Sequence, residues 1–214
     1  MPLQNIELPS SEPELSEDVL EFLREADLRV DEFLRNRPTR VNGFVPCCFE
    51  TVGKALLTIE KMQLAAGDCF CEWGSGFGVV ASLAGMFGFQ AYGIEIDRDL
   101  CDAARELASD FDIPVEFING SCIPAAAEQI VDRVFAENAG EFALETHADG
   151  AYDELELDVC DFDLVFMYPW PGDEPLSETV FEKFAADGAL LLTYNDLNGM
   201  QLQRKRRKRR RRLR

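Results

Sequence analysis

The stretch Cys69-Phe-Cys-Glu-Trp-Gly-Ser-Gly-Phe-Gly-Val-Val-Ala81 decides the fold of this chain. Apolar and small residues run up to Glu72, glycines then alternate with Ser75 and Phe77, and an apolar helical run follows. This order predicts a buried strand, a glycine turn and the start of a helix. Because glycine has no Cβ, it permits sharp backbone turns and leaves main-chain N–H groups open to a ligand. Such a turn between strand and helix commonly holds a nucleotide-like ligand.

A second apolar run ends in an acid, Glu95, within Gly93-Ile-Glu-Ile-Asp97. An acid at the tip of the second strand of such a unit is suited to bind a ribose diol. The dinucleotide-binding pattern Gly-x-Gly-x-x-Gly is broken here, because its third glycine would fall on Val79. The glycine turn and the acid together therefore favour a ligand that contains a nucleoside but is not a dinucleotide.

From residue 69 onward, apolar strand patterns alternate with helical patterns. Strands are predicted near residues 69–72, 91–96, 115–118, 162–167 and 189–194, and helices near 79–87, 99–110, 124–137 and 174–186. Alternation of this kind predicts an α/β fold with a mostly parallel sheet and right-handed crossovers. The apolar strands indicate a sheet buried on both faces. The C-terminal end looks shortened, since the residues after Tyr194 leave room for one short strand at most, near residues 200–203.

We predict three regions along the chain. Residues 1–64 form an N-terminal lead and helices that pack on the core, with residues 1–14 disordered or loosely docked and Ser16 capping the first helix. Residues 65–199 form the cofactor-binding domain. Within it, residues 138–161 are an acidic insertion, predicted to be a solvated surface loop. The alternative is that this insertion forms a rim that attracts a cationic substrate. Residues 200–214 form a basic tail.

The net charge of −19 is distributed unevenly between residues 1–203, here called the body, and the basic residues of the tail. The last eleven residues contain ten of the 21 basic residues, so the remaining eleven are opposed by all 40 acids. An acidic body repels nucleic acid phosphates and favours a cationic partner, although acidity can also serve solubility alone. The tail at residues 204–214 has the opposite preference, for nucleic acid or an acidic partner.

Other composition features narrow the cell compartment and the chemistry. No apolar run approaches the roughly 20 residues of a membrane helix, and the N-terminus lacks the pattern of a signal peptide. We therefore expect a soluble, cytoplasmic protein without a transmembrane segment. The seven cysteines include no Cys-x-x-Cys pair, and His147 is the only histidine. This disfavours a metal site and indicates free thiols in a reducing compartment.

The motif Glu72-x-Gly-x-Gly-x-Gly78, followed by Glu95, resembles that of class I S-adenosylmethionine-dependent methyltransferases over residues 69–194. The resemblance implies a Rossmann-like three-layer sandwich and S-adenosyl-L-methionine as cofactor. It implies cofactor contacts from Glu72, Gly74, Gly76, Gly78, Glu95 and Ser121. Glu72 would help hold the methionine ammonium, and Glu95 would accept both ribose hydroxyls. Ser121 stands where the family often has an acid near the adenine amino group, so that contact could instead come from main chain or Cys122.

The fourth predicted strand ends in Tyr168-Pro-Trp-Pro171, where many amino-group methyltransferases have a proline-aromatic turn that grips the acceptor nitrogen. The leading Asn or Asp and the double proline of that turn are missing here. Tyr168 and Trp170 would offer ring faces to a cation. Asp173 and Glu174 could take the proton of an ammonium. A purely structural turn before a helix is the equally weighted alternative. Tyr168, Trp170 and Asp173 are the candidate catalytic residues.

The segment Phe44-Val-Pro46 resembles one that precedes the glycine motif in small protein-lysine methyltransferases. The leading hypothesis is therefore an enzyme that methylates an amine, either a protein lysine or a small molecule. The alternative is a binding module without catalysis, whose basic tail binds RNA or an acidic partner. A third possibility is that the tail folds back on the acidic body.

Overall fold

The computed structural model describes residues 3–9, 11–36, 44–137, 150–195 and 199–206. A seven-stranded sheet lies at its centre. The strands are β1 (Gln4–Ile6), β2 (Cys69–Trp73), β3 (Gln90–Glu95), β4 (Val115–Asn119), β5 (Leu164–Met167), β6 (Leu190–Asn195) and β7 (Gly199–Arg204). Their order across the sheet is β1-β7-β6-β5-β2-β3-β4. Strands β2 to β6 pair in parallel, whereas β7 is antiparallel to both β6 and β1. The five predicted strands are thus confirmed.

Helices cover both faces of the sheet. They are α1 (Glu17–Asn36), α2 (Phe49–Lys61), α3 (Val79–Met86), α4 (Arg98–Asp110), α5 (Glu128–Glu137), α6 (Ala151–Leu155) and α7 (Glu174–Phe184). Buried side chains of α1 to α4 share one apolar cluster, and those of α5 to α7 share the other. The chain is therefore a three-layer, Rossmann-like α/β sandwich, as predicted.

The central strands are apolar because both of their faces are covered. All four residues of β5 are buried, and they alternate between the two clusters: Leu164 and Phe166 join one, Val165 and Met167 the other. This is the period of two that a strand imposes on its side chains. Continuous apolar runs are therefore expected in strands buried on both faces, and they made the strand positions predictable.

The N-terminal lead differs from the sequence-based expectation. Residues 1–14 were expected to be disordered or loosely docked, but Gln4–Ile6 forms β1 and pairs with β7, Ile6 lying opposite Leu202. Ile6 is half-buried against the apolar cluster under α1 to α4. The single short strand predicted near residues 200–203 exists as β7, and its free edge needs a hydrogen-bonding partner. Gln4–Ile6 supplies that partner by pairing antiparallel with β7.

The described part of the acidic insertion also differs from a solvated loop. Residues 138–149 lie outside the described residues, but α6 packs on the cluster of α5 and α7 through Ala151, Tyr152 and Leu155. The Tyr152 hydroxyl donates a hydrogen bond to the Cys122 carbonyl at 2.6 Å. The expectation failed because it was based on the acids of this segment, whereas the apolar residues between them decide the packing.

Helix α1 is the longest helix that the structure describes, with 20 residues. Val19, Phe22, Leu23, Ala26 and Val30 form its buried face. The Ser16 hydroxyl accepts a hydrogen bond from the Val19 N–H at 3.4 Å, which agrees with its predicted capping role. Across the described ranges, no helix has both the length and the apolar character needed to cross a membrane.

Candidate functional site

The predicted site residues meet at one edge of the sheet. In the parallel register, Trp73 at the end of β2 lies opposite Ile94 of β3 and Met167 of β5. The glycine turn after β2, the acid at the end of β3 and the Tyr168 turn after β5 therefore share the carboxyl edge. Ligands of open parallel sheets bind outside this edge.

The glycine turn requires glycine because its backbone has positive φ values and because neighbouring side chains leave no room for a Cβ at two positions. Gly74, Gly76 and Gly78 have φ values of 69°, 53° and 70°, in the left-handed region. A Cβ at Gly78 would collide with the Phe117 ring and with the Cβ of Ala104, and one at Gly76 would collide with the Phe44 ring. A Cβ at Gly74 would meet no atom within 4 Å. The turn is thus packed tightly at two glycines and borders open space at Gly74.

Glu72 is a buried carboxyl that is hydrogen-bonded to the helix that follows the turn. Its side chain is 5% exposed, and its Oε2 accepts a hydrogen bond from the Ala81 N–H at 2.7 Å, in the first turn of α3. Burial raises the pKa of Glu72 well above its ordinary value, the Ala81 bond opposes that rise, and the charge of Glu95 adds to it. A charged Glu72 is therefore costly unless a cation comes near.

Glu95 is a second buried carboxyl on the same turn. Its Oε2 accepts from the Gly76 N–H at 2.7 Å and its Oε1 from the Asp97 N–H at 2.8 Å. Burial raises the pKa of Glu95, while these backbone bonds lower it. Within the described ranges, neither Glu72 nor Glu95 forms an ion pair with a basic side chain. The turn therefore carries two buried carboxyls, and a cation close to them would stabilise their charged forms.

The end of β4 is tied to the end of β3. The Asn119 Nδ2 donates to the carbonyls of Glu95 and Ile96, both at 2.9 Å, and the Gly120 N–H donates to the Glu95 carbonyl at 2.8 Å. Ser121 follows directly and is buried, and its Oγ accepts from the Ile123 N–H at 3.1 Å. Ser121 therefore lies at the predicted edge, with its hydroxyl engaged in its own loop.

The three candidate catalytic residues differ in exposure. Tyr168 is half-buried, Trp170 is 38% exposed, and Asp173 is only 1% exposed. The turn that carries them is braced by the next acid, Glu174, whose carboxylate accepts from the Gly172 N–H at 2.8 Å and from the Asn195 Nδ2 at 3.1 Å. Tyr168 and Trp170 can meet an incoming molecule, whereas Asp173 lies below the surface.

Two aromatic residues join the site without having been predicted there. The Phe44 ring lies against Gly76, and the Tyr194 ring lies 5.4 Å from that of Tyr168, centroid to centroid. Tyr194 had a signal in the sequence, since it ends an apolar strand whose tip must lie at the carboxyl edge. Phe44 was singled out only through the resemblance of its segment, which did not predict contact with Gly76.

Among the described residues, no group of three or more histidine, cysteine, aspartate or glutamate side chains is arranged to hold a metal ion. Cys122, named as an alternative adenine contact, is buried next to Ser121.

Solved structures of other proteins resemble this chain. A methyltransferase from Geobacter sulfurreducens aligns with a TM-score of 0.51 and 16% identity, over 90% of this chain and 92% of its own. An O-methyltransferase from Bacillus cereus, solved in complex with SAH, aligns with a TM-score of 0.50 and 15% identity, over 86% of this chain and 69% of its own. The Rossmann-like fold is common to all three. No family model matches the sequence, and no curated protein matches it.

Proposed function

We propose that this chain is an S-adenosylmethionine-dependent methyltransferase. The observation that carries the proposal is the pair of buried carboxyls, Glu72 and Glu95, hydrogen-bonded to the glycine turn and its helix. S-adenosylmethionine brings two positive groups to such a turn, an α-ammonium and a sulfonium. A dinucleotide would bring phosphates, which two carboxylates repel. The fold that this chain has in common with two solved methyltransferases supports the same reading.

The residues present fit this cofactor. Glu72 would hold the methionine ammonium, Glu95 would accept the ribose hydroxyls, and the main chain of the turn would line the cofactor where Gly74 borders open space. Ser121 would lie on the adenine side. When bound, the cofactor supplies an activated methyl group on sulfur, so the protein has mainly to orient the acceptor and exclude water.

We propose an amine as the methyl acceptor, either a protein lysine or a small amine. Tyr168 and Trp170 would present ring faces to an ammonium, an attraction of about 0.5–2 kcal/mol. The acidic body would draw in a cationic substrate such as a lysine-rich protein. Asp173 would act as the proton acceptor, which requires the turn to open, because this side chain is 1% exposed. The Bacillus cereus protein carries the name O-methyltransferase, so an oxygen acceptor is the competing case.

Calorimetric titration with S-adenosylmethionine tests the cofactor. Wild type is expected to bind, Glu95→Ala to lose at least about tenfold in affinity because a charge-assisted bond is removed, and NAD not to bind. Glu116→Ala is the matched control, since Glu116 is an exposed acid on the neighbouring strand β4. Failure of wild type to bind, or equal affinities of Glu95→Ala and Glu116→Ala, would overturn the proposal.

Transfer of a labelled methyl group in a cell lysate tests the acceptor. Label recovered as methyl-lysine or as a methylated small amine supports an amine acceptor. Label in RNA or on oxygen would contradict the amine while leaving the cofactor assignment intact. Cofactor binding without transfer would favour a binding module that acts through the ten basic residues of the tail.

A further inference from the structure

The N-terminal region contributes two aromatic contacts to the glycine turn. Phe33 of α1 meets Phe77 of the turn edge-to-face, with centroids 5.5 Å apart and an interplanar angle of 80°. Phe44, which precedes α2, places its ring where a side chain at Gly76 would begin. The region before β2 therefore forms part of the wall around the turn.

We propose that Phe44 is a cofactor-binding residue that makes the site prefer the sulfonium of S-adenosylmethionine over the neutral thioether of S-adenosylhomocysteine. This inference rests on the proposed function and adds to it a residue and a preference between substrate and product. The observation behind it is the contact of the Phe44 ring with Gly76, the residue whose N–H donates to Glu95 at 2.7 Å.

The proposed preference would follow from the position of the ring. Phe44 is half-buried and packs against the apolar cluster under α1 to α4, so contacts with this cluster hold the orientation of its ring. Its neighbour Gly76 is bonded to a buried carboxyl that lacks a basic partner among the described residues. An aromatic face attracts a cation through its quadrupole, and more strongly where water is excluded. A neutral sulfur gains only the ordinary contact with the ring.

Calorimetric affinities for both ligands test the inference in wild type, Phe44→Leu and Phe44→Tyr. Phe44→Leu is expected to weaken S-adenosylmethionine about tenfold and S-adenosylhomocysteine about twofold, because only the former loses a cation–π contact. Phe44→Tyr keeps a ring face and is expected to restore the wild-type ratio of the two affinities.

Phe111→Leu is the matched control. Phe111 is also a partly buried ring on the same apolar cluster, but it packs against Phe22, with centroids 5.2 Å apart. It is expected to leave both affinities unchanged, and thermal melting checks that each variant is folded. Equal weakening of the binding of both ligands by Phe44→Leu would overturn this inference and leave the proposed function intact. Tighter binding of both would also overturn it, because the ring would then occupy the site instead of lining it. Absence of binding by wild type would overturn the proposed function, and the inference with it.

Discussion

Glu72 illustrates the conflict between stability and binding at the scale of one residue. A carboxyl that is 5% exposed has lost most of its hydration, and a single hydrogen bond from the Ala81 N–H offsets only part of that loss. In the proposed function this side chain receives the cationic end of the cofactor, and a charged Glu72 weakens the folded protein until that ligand binds. Binding sites commonly carry such a cost in stability.

The pH dependence of stability should therefore report on Glu72. The pKa of Glu72 in the folded protein is raised above its ordinary value of 4.5, mainly by burial. Between that value and the raised one, the folded state holds a proton that the unfolded state has released, so stability falls as pH rises. Glu72→Gln keeps an acceptor for the Ala81 N–H but cannot ionise. We expect it to be more stable than wild type at neutral pH, and equal to it at pH values below 4.5.

Denaturant titrations across the pH range measure this difference. Glu116→Gln, which removes an exposed acid, is expected to follow wild type throughout. A stability difference between Glu72→Gln and wild type that does not change with pH would contradict the role given to burial.

At the scale of secondary structure, β1 is a short strand that completes the sheet. It has three residues, yet it covers the edge of β7 and is linked to the C-terminal region by side chains as well. The Gln201 Nε2 donates to the Asn5 Oδ1 at 3.3 Å, and the Arg206 Nε donates to the Gln4 Oε1 at 3.0 Å. The two ends of the described chain thus complete one sheet.

Replacement of the half-buried side chain of β1 should destabilise the protein. Ile6→Ser removes apolar contacts with the cluster under α1 to α4, and we expect a loss of about 1 kcal/mol in the free energy of unfolding. Glu7→Ser, directly after the strand, is the control, because Glu7 is exposed, and a change below about 0.5 kcal/mol is expected. Equal effects of the two substitutions in denaturant titrations would show that β1 does not dock through its side chain.

At the scale of the whole molecule, charge is the dominant feature. Outside the last eleven residues, 40 acids face eleven basic residues, so the folded body repels itself. The ion pairs of the described residues are surface pairs such as Arg24–Glu17 and Arg105–Asp102. Pairs of this kind contribute little to stability.

Added salt should therefore stabilise the protein. Raising NaCl from about 20 mM to about 500 mM shortens the screening length severalfold, and we expect the melting temperature to rise by several degrees. Deletion of residues 207–214 removes seven basic residues and should enlarge that rise. Melting curves recorded by calorimetry measure both. A melting temperature that falls with salt, or a smaller rise after the deletion, would show that self-repulsion of the body is not what limits stability.

The features that the sequence predicted are local ones. The glycine turn at 74–78 and the continuous apolar runs of the strands follow from backbone sterics and burial within a few neighbouring residues. Glu95 was predictable because the end of a parallel strand must lie at the carboxyl edge. The residues between the acids of α6 were misjudged, because composition over a long segment does not show which side chains face the core.

By itself, therefore, the sequence determined the α/β class, the five parallel strands and the pairing of a glycine turn with two acids. Only the tertiary structure decided that Gln4–Ile6 completes the sheet beside β7 and that Phe44 covers Gly76. It also placed Tyr194 beside Tyr168. The reason is physical: local patterns record whether a side chain is buried, but they do not record which distant residue buries it. The partner is chosen by the packing of the whole chain.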